Sequence, residues 1–260
     1  MTNERQGSQM SHTSTQEASA KPATKKVVDL YPLSPSQQGM LLQALAASNP
    51  ALFVEQVQLR LNAPLDRTAF ERAWQQVTAR HPTLRTGFVW KNAGQLLQFV
   101  LAEAPVPVTY TDLRDVPIGE RQGRLAALAA AERAAGFRLD APPLQRIALA
   151  RTGEAEYHCI WSIHHLLLDG WSMPLILREF AESYAALLAG TPAHLAPSRP
   201  YSDFVRWLDA QDVDAAGRYW RAALQGFTQP VELGGVAAAG TERTHDMQRA
   251  RLSPAASARL

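Results

Sequence analysis

The chain has 260 residues, of which 46% are hydrophobic, and this is enough apolar material for one large globular domain or two small ones. Its 26 basic and 24 acidic side chains are spread along the chain, so the sequence predicts no surface for nucleic acid or an anionic membrane. The single cysteine, Cys159, excludes an internal disulfide framework. Because the chain lacks a signal peptide and any apolar run of roughly 18 residues, we expect a cytoplasmic protein.

The N-terminal part is predicted to begin without structure and then to alternate helices and strands. Residues 1–27 carry almost no large apolar groups, which predicts a disordered leader or linker. Ser34, Pro35 and Gln37 have the pattern of a capping box at the start of a helix that runs to about Ala47. The next predicted elements are a strand over 53–61, a helix from Asp66 to His81-Pro82, and a hairpin of strands 84–90 and 95–101 around Asn92-Ala93-Gly94.

The rest of the chain alternates helical and strand patterns until about residue 225. The predicted elements are a helix over 119–135, a buried strand over 157–163, a helix over 171–188, and two short helices near 201–210 and 214–224. Glycine and alanine without strong periodicity predict a loop over 226–245, and a strand or a helix is expected from Leu252 onward.

Two adjacent histidines stand where the strand over 157–163 ends and the next helix is about to begin. A histidine beside an apolar run is usually a core residue, but loops at the ends of rigid elements are favoured places for catalytic groups. Imidazole can handle a proton near neutral pH, so His165 is a candidate base for transfer of an acyl group to an amine. Asp169 needs a cation or several backbone donors, and Gly170 permits either a positive φ or a close backbone approach to a ligand.

The segment from His164 to Gly170 resembles the HHxxxDG motif of the condensation domains of nonribosomal peptide synthetases. Three other stretches resemble motifs of that family in the same order along the chain, namely 33–41, 80–88 and 201–207. The resemblance implies an α+β fold, a two-layer α/β sandwich in which the N-terminal lobe of the condensation domain has a chloramphenicol acetyltransferase-like fold. In such a lobe, helices cover a mixed and largely antiparallel sheet.

The resemblance also implies roles for the site residues. His165 is the functional histidine, either as a general base or as the group that orients the amine, whereas His164 supports the fold. The carboxylate of Asp169 should pair with an arginine of the second motif, and Arg80 and Arg85 are both open choices. The backbone N–H of Gly170 could face a developing oxyanion.

Four further residues are candidates for the lining of a substrate channel: Trp171, Ser172, Tyr201 and Trp207. For the two tryptophans, a place in the core is the more ordinary interpretation. The histidines outside the motif show no metal-ligand spacing, so we predict no metal site.

The resemblance implies that residues 28–225 form the N-terminal lobe of a condensation domain. Residues 226–260 would then begin a crossover to a C-terminal lobe that this chain lacks, so residues 1–260 alone should be inactive. The expected reaction is amide-bond formation between a donor acyl or peptidyl thioester and an acceptor aminoacyl thioester. No cofactor is expected to bind directly, because phosphopantetheine arms of upstream and downstream carrier proteins bring both substrates.

Several finer points of the function stay open at this stage. The opening motif resembles the subtype that joins a D-donor to an L-acceptor. An epimerisation domain, a coenzyme A-dependent acyltransferase and a non-catalytic binding platform are the alternatives. The N-terminal segment could receive a docking element of an upstream synthetase, and an adenylation domain is expected in the full protein.

Overall fold

Seven strands form two sheets in the computed structural model, which describes residues 26–91, 94–229 and 251–259. The strands are β1 (Val27–Pro32), β2 (Val54–Leu61), β3 (Thr86–Val89), β4 (Leu97–Leu101), β5 (Val108–Asp112), β6 (Gln145–Gly153) and β7 (Glu156–His164). The helices are α1 (Pro35–Ala46), α2 (Arg67–Arg80), α3 (Ile118–Ala134), α4 (Met173–Ala189), α5 (Tyr201–Asp209), α6 (Val213–Ala223) and α7 (Pro254–Ser257).

The larger sheet has the strand order β2-β7-β6-β5 and contains both kinds of pairing. Strand β7 is antiparallel to β2 and β6, whereas β5 is parallel to β6. The smaller sheet, of order β1-β4-β3, is antiparallel throughout. The predicted α+β class with a mixed, largely antiparallel sheet is confirmed, and its strands are divided between two sheets.

The central strand β7 is buried on both faces, which explains its nearly continuous apolar sequence. On one face, Trp161 lies 5.2 Å from the ring of Trp74 in α2, which stacks on Phe180 of α4. On the other face, Ile160 packs with Ala129 of α3. Helices therefore cover the larger sheet on both faces, and β7 is held rigidly between them.

Local sequence signals account for the first two helices. The Ser34 hydroxyl accepts a hydrogen bond from the backbone N–H of Gln37, whose side chain accepts one from the N–H of Ser34, so the predicted capping box is present. The carboxylate of Asp66 caps α2 through the N–H of Ala69 at 2.8 Å.

Some boundaries differ from the prediction. Pro82 begins a 3₁₀ turn over Pro82–Arg85, so Arg85 lies in that turn and not in a strand as predicted. Helix α4 begins at Met173, because the polar turn after the apolar run extends to Ser172. The turn residues Asn92 and Ala93 and most of the predicted loop over 226–245 lie outside the described residues.

The described residues up to Gln211 form one compact unit, and those from Asp212 onward form a second. In the second unit, the carboxylate of Asp212 caps α6 through the N–H of Ala215 at 2.7 Å. None of the described helices is both long and apolar enough to cross a membrane. The limits of the lobe predicted over 28–225 stay a prediction.

Candidate active site

The histidine pair lies at the C-terminal end of β7 in the larger sheet. His164 is the final residue of β7 and pairs with Val54 of β2, and its N–H donates to the carbonyl of Leu144 at 3.0 Å. The N–H of His165 donates to the carbonyl of Phe53 at 2.8 Å. The backbone of both histidines is therefore fixed by the residues that directly precede β6 and β2, on either side of β7.

The His164 side chain points into the protein. It is 2% exposed, and the edges of Phe53 and Phe137 pack near it, with ring centroids 6.3 and 6.4 Å away. Its Nδ1 accepts a hydrogen bond from the N–H of Leu166 at 3.2 Å. Burial, with the neighbouring His165 as a smaller cause, lowers the pKa of His164 to about 4. At neutral pH this imidazole is uncharged, and its Nδ1 is an acceptor.

The His165 side chain lines a cavity of about 620 Å³ within the first unit. Within the part of the chain that the structure describes, its buried Nδ1 has no hydrogen-bond partner. Asp169, Ser172 and Tyr201 also line this cavity. The sequence therefore predicted four residues that the structure brings to one cavity.

Asp169 finds its partners within its own turn. Its Oδ1 accepts hydrogen bonds from the backbone N–H of Ser172 at 2.8 Å and from the Ser172 hydroxyl at 2.6 Å. These bonds lower the pKa of Asp169. Of the two alternatives predicted from the residue itself, local donors rather than a cation hold this carboxylate.

The predicted pairing of Asp169 with Arg80 or Arg85 is wrong in this structure. Arg80, at the end of α2, donates to the buried carboxylate of Glu179 at 2.9 Å, because α2 packs against α4. Arg85 donates to the carbonyls of Leu101 and Ala102 at the end of β4, and burial lowers its pKa. Both arginines therefore fix the frame around the cavity rather than its carboxylate.

Three other predicted residues lie outside the cavity lining. Gly170 does not have a positive φ, and a Cβ built on it would meet nothing within 4 Å, so the positive-φ interpretation of this glycine is wrong. Trp171 is 88% exposed and Trp207 is 57% exposed, so neither belongs to the core. The apolar face of α5 beside Trp207 instead carries Phe204, which does line the cavity.

Tyr201 links the start of α5 to the start of α1. Its hydroxyl donates to the Ser34 hydroxyl oxygen at 3.1 Å, and both residues line the cavity. The cap of α1 is therefore also part of the cavity wall.

Sequence reasoning missed three polar residues near the site. His81 lines the cavity, and its Nε2 lies 2.7 Å from Glu179 Oε2, the same oxygen that receives Arg80. Gln98 is buried and bonds to Gln37, which was predicted only as part of a helix cap. No sequence signal pointed to Glu179 or Gln98, because each partner lies far away along the chain.

The described residues do not support a cysteine nucleophile or a metal site. Cys159 is 1% exposed, and burial raises the pKa of its thiol to about 12, so it is a core residue as predicted. Among the residues that the structure describes, no three His, Cys, Asp or Glu side chains are grouped as a metal site would require.

Comparisons with known proteins point to one family. Residues 27–259 match the family model of the condensation domain. The chain is 41% identical over 182 residues to chondramide synthase cmdD of Chondromyces crocatus, which is 70% of this chain and 5% of that protein. It is 35% identical over 204 residues to bacitracin synthase 3 of Bacillus licheniformis, which is 78% of this chain and 3% of that protein.

Solved structures agree with this fold. The first condensation domain of the CDA synthetase matches with a TM-score of 0.69 at 23% identity, over 77% of this chain and 49% of that chain. The starter condensation domain of rhizomide synthetase RzmA matches with a TM-score of 0.70 at 21% identity, over 78% of this chain and 50% of that chain. The chain thus spans about half of each solved domain. With the family match over nearly all of its length, the chain belongs to the condensation domain family.

Proposed function

We propose that this chain is the N-terminal part of a nonribosomal peptide synthetase condensation domain that forms amide bonds between substrates on carrier proteins. The observation that carries the proposal is His165. This histidine follows the central strand, lines a cavity of about 620 Å³, and belongs to the HHxxxDG pattern of the family.

The chemistry needs one group that can interact with an amine proton. The acceptor amine nitrogen attacks the donor thioester carbonyl, a C–N bond forms, the C–S bond breaks, and the thiol leaves with a proton. A cavity-lining imidazole at His165 could take the amine proton or hold the amine by a hydrogen bond. Since a thioester is already activated, alignment by a hydrogen bond could supply much of the rate.

The substrates would reach the cavity on phosphopantetheine arms of upstream and downstream carrier proteins, so no cofactor need bind the chain itself. We also propose the subtype that joins a D-donor to an L-acceptor, on the resemblance of the opening motif. Parallel assays with donors that end in a D- or an L-residue test this subtype, and faster use of the L-donor would contradict it.

The N-terminal edge is the proposed docking point for an upstream synthetase. Strand β1 is an edge strand, and its Val27, Val28 and Leu30 side chains are exposed. Replacing these three residues with serine should weaken transfer from an upstream synthetase but not from a carrier fused to the same chain. Equal loss in both arrangements would contradict docking.

The main test is carrier-to-carrier condensation by the full protein with His165→Ala. We expect product formation to fall by about two to four orders of magnitude, the range for removal of a group that acts on a proton. His158→Ala is a matched control, because His158 lies on β7, the strand that His165 follows, pairs with Glu156 and does not line the cavity. A full rate in His165→Ala would refute the proposal.

The same assay separates the alternatives. Product from a coenzyme A thioester in place of a carrier would favour a free acyltransferase, and α-hydrogen exchange without condensation would favour an epimerisation domain. Partner binding without turnover in the full protein would favour a binding platform. Residues 1–260 alone should show no turnover, and turnover by this fragment would overturn the proposal that a second lobe is needed.

A further inference from the structure

The backbone N–H and the backbone carbonyl of Leu166, the residue directly after His165, are both held by side chains. Its N–H donates to Nδ1 of His164 at 3.2 Å, and its carbonyl accepts from Nε2 of Gln37 at 3.0 Å. Leu166 itself is 2% exposed. Two side chains from different elements therefore fix the first turn after the histidine pair.

The amide of Gln37 is itself locked by a second amide. Its Nε2 also donates to Oε1 of Gln98 at 3.2 Å, while Nε2 of Gln98 donates back to Oε1 of Gln37 at 2.9 Å and to the carbonyl of Pro32 at 2.9 Å. Every N–H of the two amides has an acceptor. A reversed Gln37 amide would set oxygen against the Leu166 carbonyl, so the network determines its orientation.

The two glutamine side chains are largely buried, although Gln37 also lines the cavity. Gln37 is 7% exposed and Gln98 is 1% exposed. In such surroundings a hydrogen bond is strong, and an unpaired buried partner is costly. The two glutamines thus join α1, the smaller sheet and the loop after β7 into one rigid connection.

We propose that Gln37 is a positioning residue for the condensation reaction. By holding the Leu166 carbonyl, it fixes the backbone on the C-terminal side of His165, while the Phe53 carbonyl fixes the His165 N–H. The backbone from which the His165 imidazole extends is then held on both sides. This inference rests on the proposed function, because it assigns Gln37 a role in placing the histidine that meets the amine.

Two substitutions of Gln37 remove the contact with Leu166. Gln37→Glu keeps an acceptor for the N–H of Ser34 and for the Gln98 amide, but when ionised it cannot donate to the Leu166 carbonyl or to Oε1 of Gln98. Gln37→Met removes the amide without burying a charge. Gln38→Glu and Gln38→Met are matched controls, because Gln38 is exposed and donates to the carbonyl of Leu33, away from the His165 loop.

The readouts are kcat and KM for both carrier substrates in the full protein, together with the melting temperature. We expect both Gln37 variants to lose about tenfold to a hundredfold in kcat, since a small misplacement of a catalytic group has an effect of this size. KM for either carrier should change by less than about twofold, as expected when only transition-state interactions are lost. The Gln38 variants should match the unmodified protein.

Three results would overturn the inference. These are kcat values equal to those of the Gln38 controls, a rise in KM that matches the fall in kcat, or failure of both Gln37 variants to fold at the assay temperature. His165→Ala is measured beside them. If that variant is inactive while the Gln37 variants keep the kcat of the Gln38 controls, only the positioning role fails, whereas a fully active His165→Ala removes the proposed function as well.

Discussion

Protonation of His164 should destabilise the condensation domain as the pH falls. The imidazole is buried, and its Nδ1 accepts the N–H of Leu166, so the folded protein favours the neutral ring. Its pKa is lowered from 6.5 to about 4. The unfolded chain therefore binds this proton first, and stability that is fully present above about pH 6.5 is lost as the pH falls toward 4.

The size of this effect follows from the two pKa values. At about pH 5, His164 alone should remove about 2 kcal/mol from the free energy of unfolding, and at about pH 4 the loss should reach about 3 kcal/mol. His164→Asn tests this, because asparagine offers an acceptor to Leu166 N–H but gains no proton. This variant should be less stable than the unmodified domain at about pH 7.5, because it loses contacts with Phe53 and Phe137.

The assay is urea unfolding of the condensation domain that contains this chain, at about pH 7.5 and about pH 5. The stability deficit of His164→Asn should shrink by about 2 kcal/mol at the lower pH. His194→Asn gives the background for replacing an exposed histidine. A deficit of the same size at both pH values would show that His164 titrates normally and would refute the reasoning.

Two further substitutions test the frame around the cavity. Glu179→Gln should lower the free energy of unfolding by about 2 kcal/mol, because the substitution breaks a largely buried ion pair with Arg80 of α2. Glu182 on the same helix is exposed, so Glu182→Gln should change the free energy of unfolding by less than about 0.5 kcal/mol. Equal effects of these two variants in urea unfolding would contradict the buried-pair argument. Gly87→Ala should lower the free energy of unfolding by about 1–3 kcal/mol, since the new Cβ would lie 2.6 Å from the Phe99 ring. Gly123→Ala is the control: a Cβ at this position in α3 meets nothing within 4 Å, and alanine should stabilise the helix. A melting temperature for Gly87→Ala at or above that of the unmodified domain would contradict the steric argument.

Short-range signals in the sequence correctly predicted much of the frame. The capping box at Ser34, the cap at Asp66 and the buried strand before His164 depend on residues a few positions apart, and their hydrogen bonds or periodicity follow from local geometry. The placement of His165 after a rigid strand was predictable for the same reason.

Long-range partners were not predictable in this way. Gln37 meets the Leu166 carbonyl 129 positions away, and Arg80 meets Glu179 99 positions away. Several residues nearby offer the same kinds of donors and acceptors, so residue type alone could not choose between them. The arginine partner that the resemblance implied for Asp169 is a different case, because the turn of Asp169 itself supplies its donors.

The sequence by itself determined the family, most of the helices and the histidine that lines the cavity, because these follow from ordered motifs and local patterns. Only the tertiary structure decided which polar group meets which. It paired Arg80 with Glu179 and joined Gln37 to the His165 loop. The physical reason is that sheet register and helix packing set distances between remote residues, and a buried polar group must take whichever partner that packing brings within reach.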